Sequence, residues 1–147
     1  MNFKNNLHFF IIISCLSFFA SCKTYYISIE SFKQQFQGLD SSNLKEITTQ
    51  GPLGGQTKYK TTPIDSIFCV DKNGQPVVLT NSPSIEIRFT DNHQKKSIFY
   101  FDRITVDSTS VTGVQSRIIS SIRKTIPLNT IQKIEVQNGK KKYRYVQ

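Results

Sequence analysis

The sequence predicts a β-rich, mainly antiparallel domain with one short amino-terminal helix. Three observations predict this class: period-two alternation of polar and apolar residues after Thr57, two Asn-Gly pairs between strand-like runs, and one apolar stripe at helical spacing. A chain with about eight short strands and one helix suits a small barrel or sandwich. The domain would span residues 22–147, with a helix and irregular segment at 22–56 and a β-rich core at 57–147.

The predicted helix begins at Ser28, whose hydroxyl can cap the first turn. Ile29, Phe32 and Phe36 then recur at i, i+3 and i+7 and form one apolar stripe. Gly38 can supply the left-handed residue that ends the helix. We expect the stripe to pack against a sheet.

The segment from residue 39 to residue 55 has loop composition, including Gly-Pro-Leu-Gly-Gly at 51–55. One short strand is predicted around Glu46 to Thr49. Strand patterns follow at 84–90, 96–106, 111–114 and 123–128, and Ile85, Ile87 and Phe89 should share one face. The strand, short turn and strand at 126–136 resemble the end of an SH3-like barrel, a likeness of shape that says nothing about ligand.

The pair Asn73-Gly74 predicts a hairpin with a two-residue type I′ turn, because both central residues must take positive φ. The expected pairs are Val70 with Val77, Phe68 with Leu79, Cys69 with Val78 and Ile67 with Thr80. Both faces of such a hairpin are largely apolar. It should therefore lie in the middle of the structure, covered on both sides.

The pair Asn138-Gly139 predicts a second hairpin of the same type. Its inward face would pair Val136 with Lys141, Ile134 with Tyr143 and Gln132 with Tyr145. Its outward face would pair Glu135 with Lys142 and Lys133 with Arg144. The second face would be strongly basic.

The amino-terminal residues predict an export signal. Lys4 precedes an apolar stretch from Leu7 to Ala20, which is shorter than the roughly 20 apolar residues of a membrane-spanning helix. The stretch ends in Phe19-Ala20-Ser21-Cys22, which resembles the lipobox of bacterial lipoproteins, although Phe19 stands where an aliphatic residue is usual. Residues 1–21 would then be the signal peptide.

Two alternatives remain open at this end. Ile12-Ile13-Ser14-Cys15 also fits a lipobox, but cleavage before Cys15 would leave only Leu7 to Ile13 as the apolar core. An uncleaved membrane anchor is the other alternative.

The resemblance to lipoproteins implies a diacylglyceryl thioether and an amide-linked acyl chain such as palmitate on Cys22. Two or three chains tether a protein stably to a membrane surface. The cell envelope would be the location, and the absence of acidic residues directly after Cys22 favours a periplasmic face. Cys69 would remain as the mature chain's only thiol, without a disulfide partner.

Charge is distributed unevenly along the chain, whose net charge is +9. Residues 22–115 hold ten basic and nine acidic residues, whereas residues 116–147 hold eight basic residues and one acidic residue. A basic envelope surface can bind anionic lipid or glycan, so five residues are candidate anion ligands: Lys133, Lys140, Lys141, Lys142 and Arg144. An alternative is that lysines only protect a strand edge from pairing.

Other partner and site classes have little support in the sequence. A nucleic-acid partner is not expected, because export would take the protein out of the cytoplasm. The sequence also has no cofactor motif and no recognised spacing of metal ligands. Cys69 and His93 are a formal nucleophile and base, but the first is predicted mid-strand among apolar residues and the second in a polar turn. Asp102 and Asp107 are expected to mark turns.

The sequence therefore predicts a lipid-anchored envelope protein without enzymatic activity, a binding or assembly module that uses the basic carboxy-terminal hairpin. One alternative is a subunit of an envelope protein complex that takes no small ligand. The other is an envelope hydrolase or thiol enzyme built on Cys69.

Overall fold

The computed structural model describes residues 23–37, 39, 41–139 and 141–146. The predicted signal peptide, Cys15 and Cys22, Gly38 and Lys140 lie outside these ranges. The helix α1 spans Ile29–Gln35. The strands are β1 (Thr24–Ile27), β2 (Lys45–Gln50), β3 (Gln56–Thr61), β4 (Ser66–Val70), β5 (Pro76–Thr80), β6 (Ile85–Asp91), β7 (Lys96–Tyr100), β8 (Ile104–Val106), β9 (Ser110–Val114), β10 (Arg123–Pro127), β11 (Ile131–Asn138) and β12 (Arg144–Val146).

The strands form three open antiparallel sheets. The large sheet has six strands in the order β5-β4-β1-β11-β6-β7, and two sheets of three strands have the orders β10-β9-β8 and β12-β2-β3. Open sheets packed in layers make a sandwich, not a closed barrel. The predicted β-rich class with one α-helix is confirmed.

The helix α1 forms as its sequence predicts. The Ser28 hydroxyl accepts a hydrogen bond from the Ser31 amide at 3.1 Å, which caps the first turn. Phe32 is fully buried, and its ring lies 4.9 Å from that of Phe36 and 5.4 Å from that of Phe89 in β6. The apolar stripe thus fastens the helix to the large sheet.

The core lies on one face of the large sheet. Ile85, Ile87 and Phe89 share that face and are almost completely buried, as their alternation predicts. Phe99 of β7 stands opposite Ile87. The β10-β9-β8 sheet covers it, because the backbone of Gly113 in β9 lies directly against the Phe99 ring.

The strand β1 was not predicted, and it is central. It pairs with β11 from Thr24↔Gln137 to Ile27↔Ile134, and Tyr26 pairs with Val70 of β4. The chain then turns into α1, which leaves the backbone of Phe68 without a strand partner on the β1 side of β4. The Gln35 side-chain amide replaces that partner, donating to the Phe68 carbonyl and accepting from its amide, each at 2.9 Å.

The first predicted hairpin exists, but its register is wrong by one residue. Cys69 pairs with Val77 and Phe68 with Val78, because the loop has three residues and only Gly74 takes positive φ, at 78°. The Asp71 carboxylate causes this difference. It accepts from the amides of Asn73 at 2.8 Å and Gln75 at 2.9 Å and stabilises the wider loop.

The hairpin also lies at the edge of the large sheet, so its predicted central position is wrong. The corrected register turns Ile67 and Cys69 inward, where both are buried. Phe68 and Val78 point outward and are 56% and 59% exposed. A one-residue slip exchanges the two faces of a strand, which explains the error.

The second predicted hairpin is absent. Strand β11 pairs with β1 on one side and β6 on the other, so it has no free edge for β12, which pairs with β2 instead. Gly139 permits this path, because a Cβ there would lie 2.6 Å from the Ser84 carbonyl oxygen. Asn138-Gly139 therefore marks a close crossing of two chain segments and not a turn.

The strand pattern at 96–106 forms two strands, β7 and β8, with a bend between them at the 3-10 turn Phe101–Arg103. A second 3-10 turn at Leu128–Thr130 joins β10 to β11. The strand, turn and strand resembling an SH3-like end are thus present. Their two strands nevertheless belong to different sheets.

Gly113→Ala should destabilise the fold by about 1–3 kcal/mol, since the new methyl group would overlap the Phe99 ring. Urea unfolding measures the change in the free energy of unfolding. Gly55→Ala is the matched control, because a Cβ at Gly55 meets nothing within 4 Å. Equal stability of the two variants would contradict the proposed packing of β9 on β7.

Candidate functional site

The predicted anion-binding residues do not form one face. Lys133 in β11 makes an ion pair with Glu135 at 2.9 Å, and Lys141 makes one with Glu86. The Arg144 guanidinium in β12 donates to the Gln50 side-chain oxygen at 2.8 Å. Lys142 is exposed, and Lys140 lies outside the described residues. The basic face predicted for Lys133, Lys142 and Arg144 depended on the hairpin that is absent.

Four lysines do gather at one end of the large sheet, named here the Thr24 end because β1 begins there. Lys23 directly precedes β1, and Lys72 lies in the turn that follows β4. Lys141 and Lys142 follow β11, and the Lys141 carbonyl accepts a hydrogen bond from Ser84, just before β6. Because β1 and β6 both start at this end and β4 and β11 both finish there, the four residues lie at the same end of the large sheet.

Cys22 itself lies outside the described residues, so its acylation stays a prediction. Lys23 is the next residue and is exposed. In the described part of the chain, the helices are all too short or too polar to span a membrane.

Cys69 and His93 are not brought together. Cys69 lies in β4, and burial raises the pKa of its thiol. His93 is exposed in the turn between β6 and β7, where its amide donates to the Asp91 carboxylate at 2.9 Å. Two strands separate β4 from β6, which places the two residues at least about 14 Å apart. Among the described residues, no cluster of His, Cys, Asp and Glu could hold a metal ion.

The most unusual site is a buried ion pair between Arg117 and Asp102. Arg117 lies in the loop between β9 and β10, and Asp102 lies in the 3-10 turn between β7 and β8. Arg117 Nη2 is 2.6 Å from Asp102 Oδ1, and Nη1 is 3.1 Å from Oδ2. The two side chains are 4% and 0% exposed. Arg117 also donates to the Pro83 carbonyl, before β6.

Two tyrosines from the β12-β2-β3 sheet complete this site. The hydroxyl groups of Tyr59 and Tyr145 both donate to Asp102 Oδ2, the second at 3.3 Å. Arg117 Nη1 donates to the Tyr59 oxygen at 2.7 Å. Burial and the negative charge of Asp102 raise the pKa of both tyrosines, so both remain protonated donors at neutral pH.

Aromatic rings enclose the two buried arginines of this region. The Arg117 guanidinium lies 4.1 Å from the Tyr100 ring centre and 5.5 Å from that of Tyr143. Arg103 lies 3.9 Å from the Tyr59 ring centre. Burial lowers the pKa of Arg117, but Asp102 and Tyr59 together raise it by more; burial and the charge of Arg117 lower the pKa of Arg103.

A groove of about 410 Å³ opens beside Arg103. It lies between β3 of one small sheet and β8 and β9 of the other. Its charged lining residues are all basic: Lys58, Lys60, Arg103 and Arg123. A wider groove of about 880 Å³ runs between α1 and the turn after β8, with both Lys33 and the acids Glu30 and Asp107 in its lining.

The sequence did not indicate this site. Asp107 does mark a turn, since its carboxylate accepts from the amides of Thr109 and Ser110 and this lowers its pKa to about 2. Asp102 was expected to do the same; it does lie in a turn, but its side chain is buried in an ion pair. Asp102 directly follows the apolar run that ends at Phe101, and this position was the only signal of burial.

Asp102→Asn should cost about 3–5 kcal/mol, because the buried Arg117 would lose its carboxylate partner. The measurement is the free energy of unfolding in urea. Lys45→Gln is a matched control, since it breaks the surface pair of Lys45 with Asp65 and should cost below about 1 kcal/mol. Similar costs for the two variants would contradict the structural importance assigned to the buried pair.

Comparison with known proteins finds no matching family model, no similar curated protein and no similar solved structure. The function is therefore inferred from the residues themselves.

Proposed function

We propose that this protein is a lipid-anchored module of the bacterial cell envelope that binds anionic membrane lipid or assembles with envelope components. The observation that carries the proposal is that four lysines lie at the Thr24 end of the large sheet, where β1 follows Cys22 in the sequence. Phe19-Ala20-Ser21-Cys22 supplies the acylation motif, and the folded domain starts two residues later, at Thr24. Such a short connection would hold the Thr24 end against the membrane.

Electrostatics support this orientation. Lys23, Lys72 and Lys142 are exposed and have no carboxylate partner among the described ion pairs. Lys141 is partly neutralised by Glu86. Each lysine near an anionic membrane contributes about 1 kcal/mol. The acyl chains and the lysines would act together, as paired membrane signals do.

Cys22→Ala should abolish acylation. Intact mass of the protein extracted from bacterial membranes should fit residues 22–147 plus two or three acyl chains for the natural sequence, and an unlipidated chain for the variant. Cys15→Ala is the control and should leave the lipidated mass pattern unchanged. A full-length, lipid-free mass for the natural sequence would instead indicate an uncleaved anchor.

Lysine accessibility tests the orientation on the same acylated protein. In vesicles containing phosphatidylglycerol, Lys23, Lys72 and Lys142 should react with an amine reagent about fivefold more slowly than in neutral phosphatidylcholine vesicles. High salt should remove the difference.

Lys45, Lys95 and Lys96 are internal controls, because they lie at the opposite end of the large sheet. Their reactivity should not depend on the lipid. Equal protection of both sets of lysines would refute contact through the Thr24 end.

A further inference from the structure

We propose that the groove between β3 and the β10-β9-β8 sheet binds a phosphate-bearing group, with Arg103 as its principal ligand. The inference is independent of the lipid anchor. It follows from the charge balance of the buried site, from the unused donors of Arg103 and from the lining of the groove.

The buried site holds more positive than negative charge. Arg103 and Arg117 are 8% and 6% exposed, and Asp102 is the one buried carboxylate beside them. Arg117 engages both oxygens of Asp102, and the Tyr59 and Tyr145 hydroxyl groups occupy one of them as well. Buried charges are normally paired, because removing an ion from water is costly. Among the described residues, the second arginine, Arg103, therefore has no ion-pair partner of its own.

Arg103 also has unused hydrogen-bond donors. A guanidinium carries five N–H groups, and among the described residues Arg103 has two polar contacts: a long bond of 3.4 Å from Nη1 to the Ser116 carbonyl and an interaction with Tyr59. Its Nε is buried and has no hydrogen-bond partner in the part of the chain that the structure describes. Burial and the charge of Arg117 lower the pKa of Arg103, although Tyr59 and Asp102 act in the opposite direction.

The groove supplies the space and further positive charge. Arg103 lines it together with Lys58, Lys60 and Arg123, and none of the described lining residues is acidic. Its volume of about 410 Å³ falls within the range of small-ligand sites, about 300–1,000 Å³. There is room for a phosphate with a substituent the size of glycerol or a sugar.

A phosphate fits this arrangement better than a carboxylate. A carboxylate would balance the single excess charge but would leave the other basic lining residues unused. A phosphate group carries three acceptor oxygens and up to two charges, and a guanidinium can bind two of its oxygens at once.

The full chain in detergent is titrated with inorganic phosphate, glycerol 1-phosphate and acetate at equal ionic strength. Calorimetry measures binding, and thermal unfolding measures the shift of the midpoint. Phosphate and glycerol 1-phosphate should bind and raise the unfolding midpoint, and acetate should bind at least about tenfold more weakly. Acetate binding as tightly as phosphate would overturn the assigned ligand class.

Substitutions locate the site. Arg103→Met should weaken phosphate binding at least about tenfold and remove the midpoint increase. Arg123 lies at the exposed rim of the groove, so Arg123→Gln should weaken phosphate binding a few-fold without disturbing the buried site. This variant still tests the site if Arg103→Met fails to fold. Lys96→Gln, remote from the groove, is the matched control. Unchanged phosphate binding in Arg123→Gln and in any folded Arg103→Met protein would overturn the proposal.

Vesicles distinguish the source of the phosphate. Tighter binding of phosphatidylglycerol headgroups than of glycerol 1-phosphate, lost in Arg103→Met, would assign the site to lipid. Binding of the soluble phosphates alone would assign it to a soluble phosphorylated ligand. Because acylation at Cys22 is read by mass, failure of this site and failure of the anchor are separate results.

Discussion

The ion pair of Arg117 with Asp102 is the constraint on which the arrangement of the three sheets depends. Asp102 comes from the junction of β7 and β8, Arg117 from the loop before β10, and the two hydroxyl donors from β3 and β12. A buried ion pair adds little net stability compared with apolar residues, yet it is costly to break. Its effect is therefore on specificity, because other arrangements of the sheets would leave buried charges unpaired.

The β12-β2-β3 sheet depends most on this polar centre. Its strands contribute few apolar side chains to the core, and β3 reads Gln-Thr-Lys-Tyr-Lys-Thr. Side chains hold the sheet in place: Thr61 donates to the Asp102 carbonyl at 2.5 Å and Thr62 to the Ile104 carbonyl at 3.0 Å. Directional bonds replace the hydrophobic contact that fastens α1 to the large sheet.

Local patterns predicted local structure well. The spacing of Ile29, Phe32 and Phe36 identified the helix, and the alternation at 84–90 identified both β6 and its buried face. The errors concerned pairing, which depends on groups distant in sequence or on one side chain. Nothing near Asn138 indicates that β1 and β6 occupy both edges of β11. The Asp71 carboxylate was enough to shift the other hairpin's register.

The candidate site was less predictable than the fold. Basic residues could be counted, but neither Arg103 nor Arg117 differs in local sequence from a surface arginine. Their burial follows from contacts with Asp102, Tyr59 and Tyr100, which the fold brings together from separate strands. The clustering of lysines at the Thr24 end likewise became visible only when the order of strands was known.

The central position of β1 determines when the protein can fold. Thr24 and Gln137, whose side chains are hydrogen-bonded, are 113 residues apart, and β1 separates β4 from β11. The large sheet cannot close until β11 has been synthesised, and contacts of such long sequence separation form slowly. Until then β1 and β6, the two neighbours of β11, each have an unpaired edge that can join other chains. The two halves of the large sheet therefore remain separate, each with one open edge, until nearly the whole chain has been made.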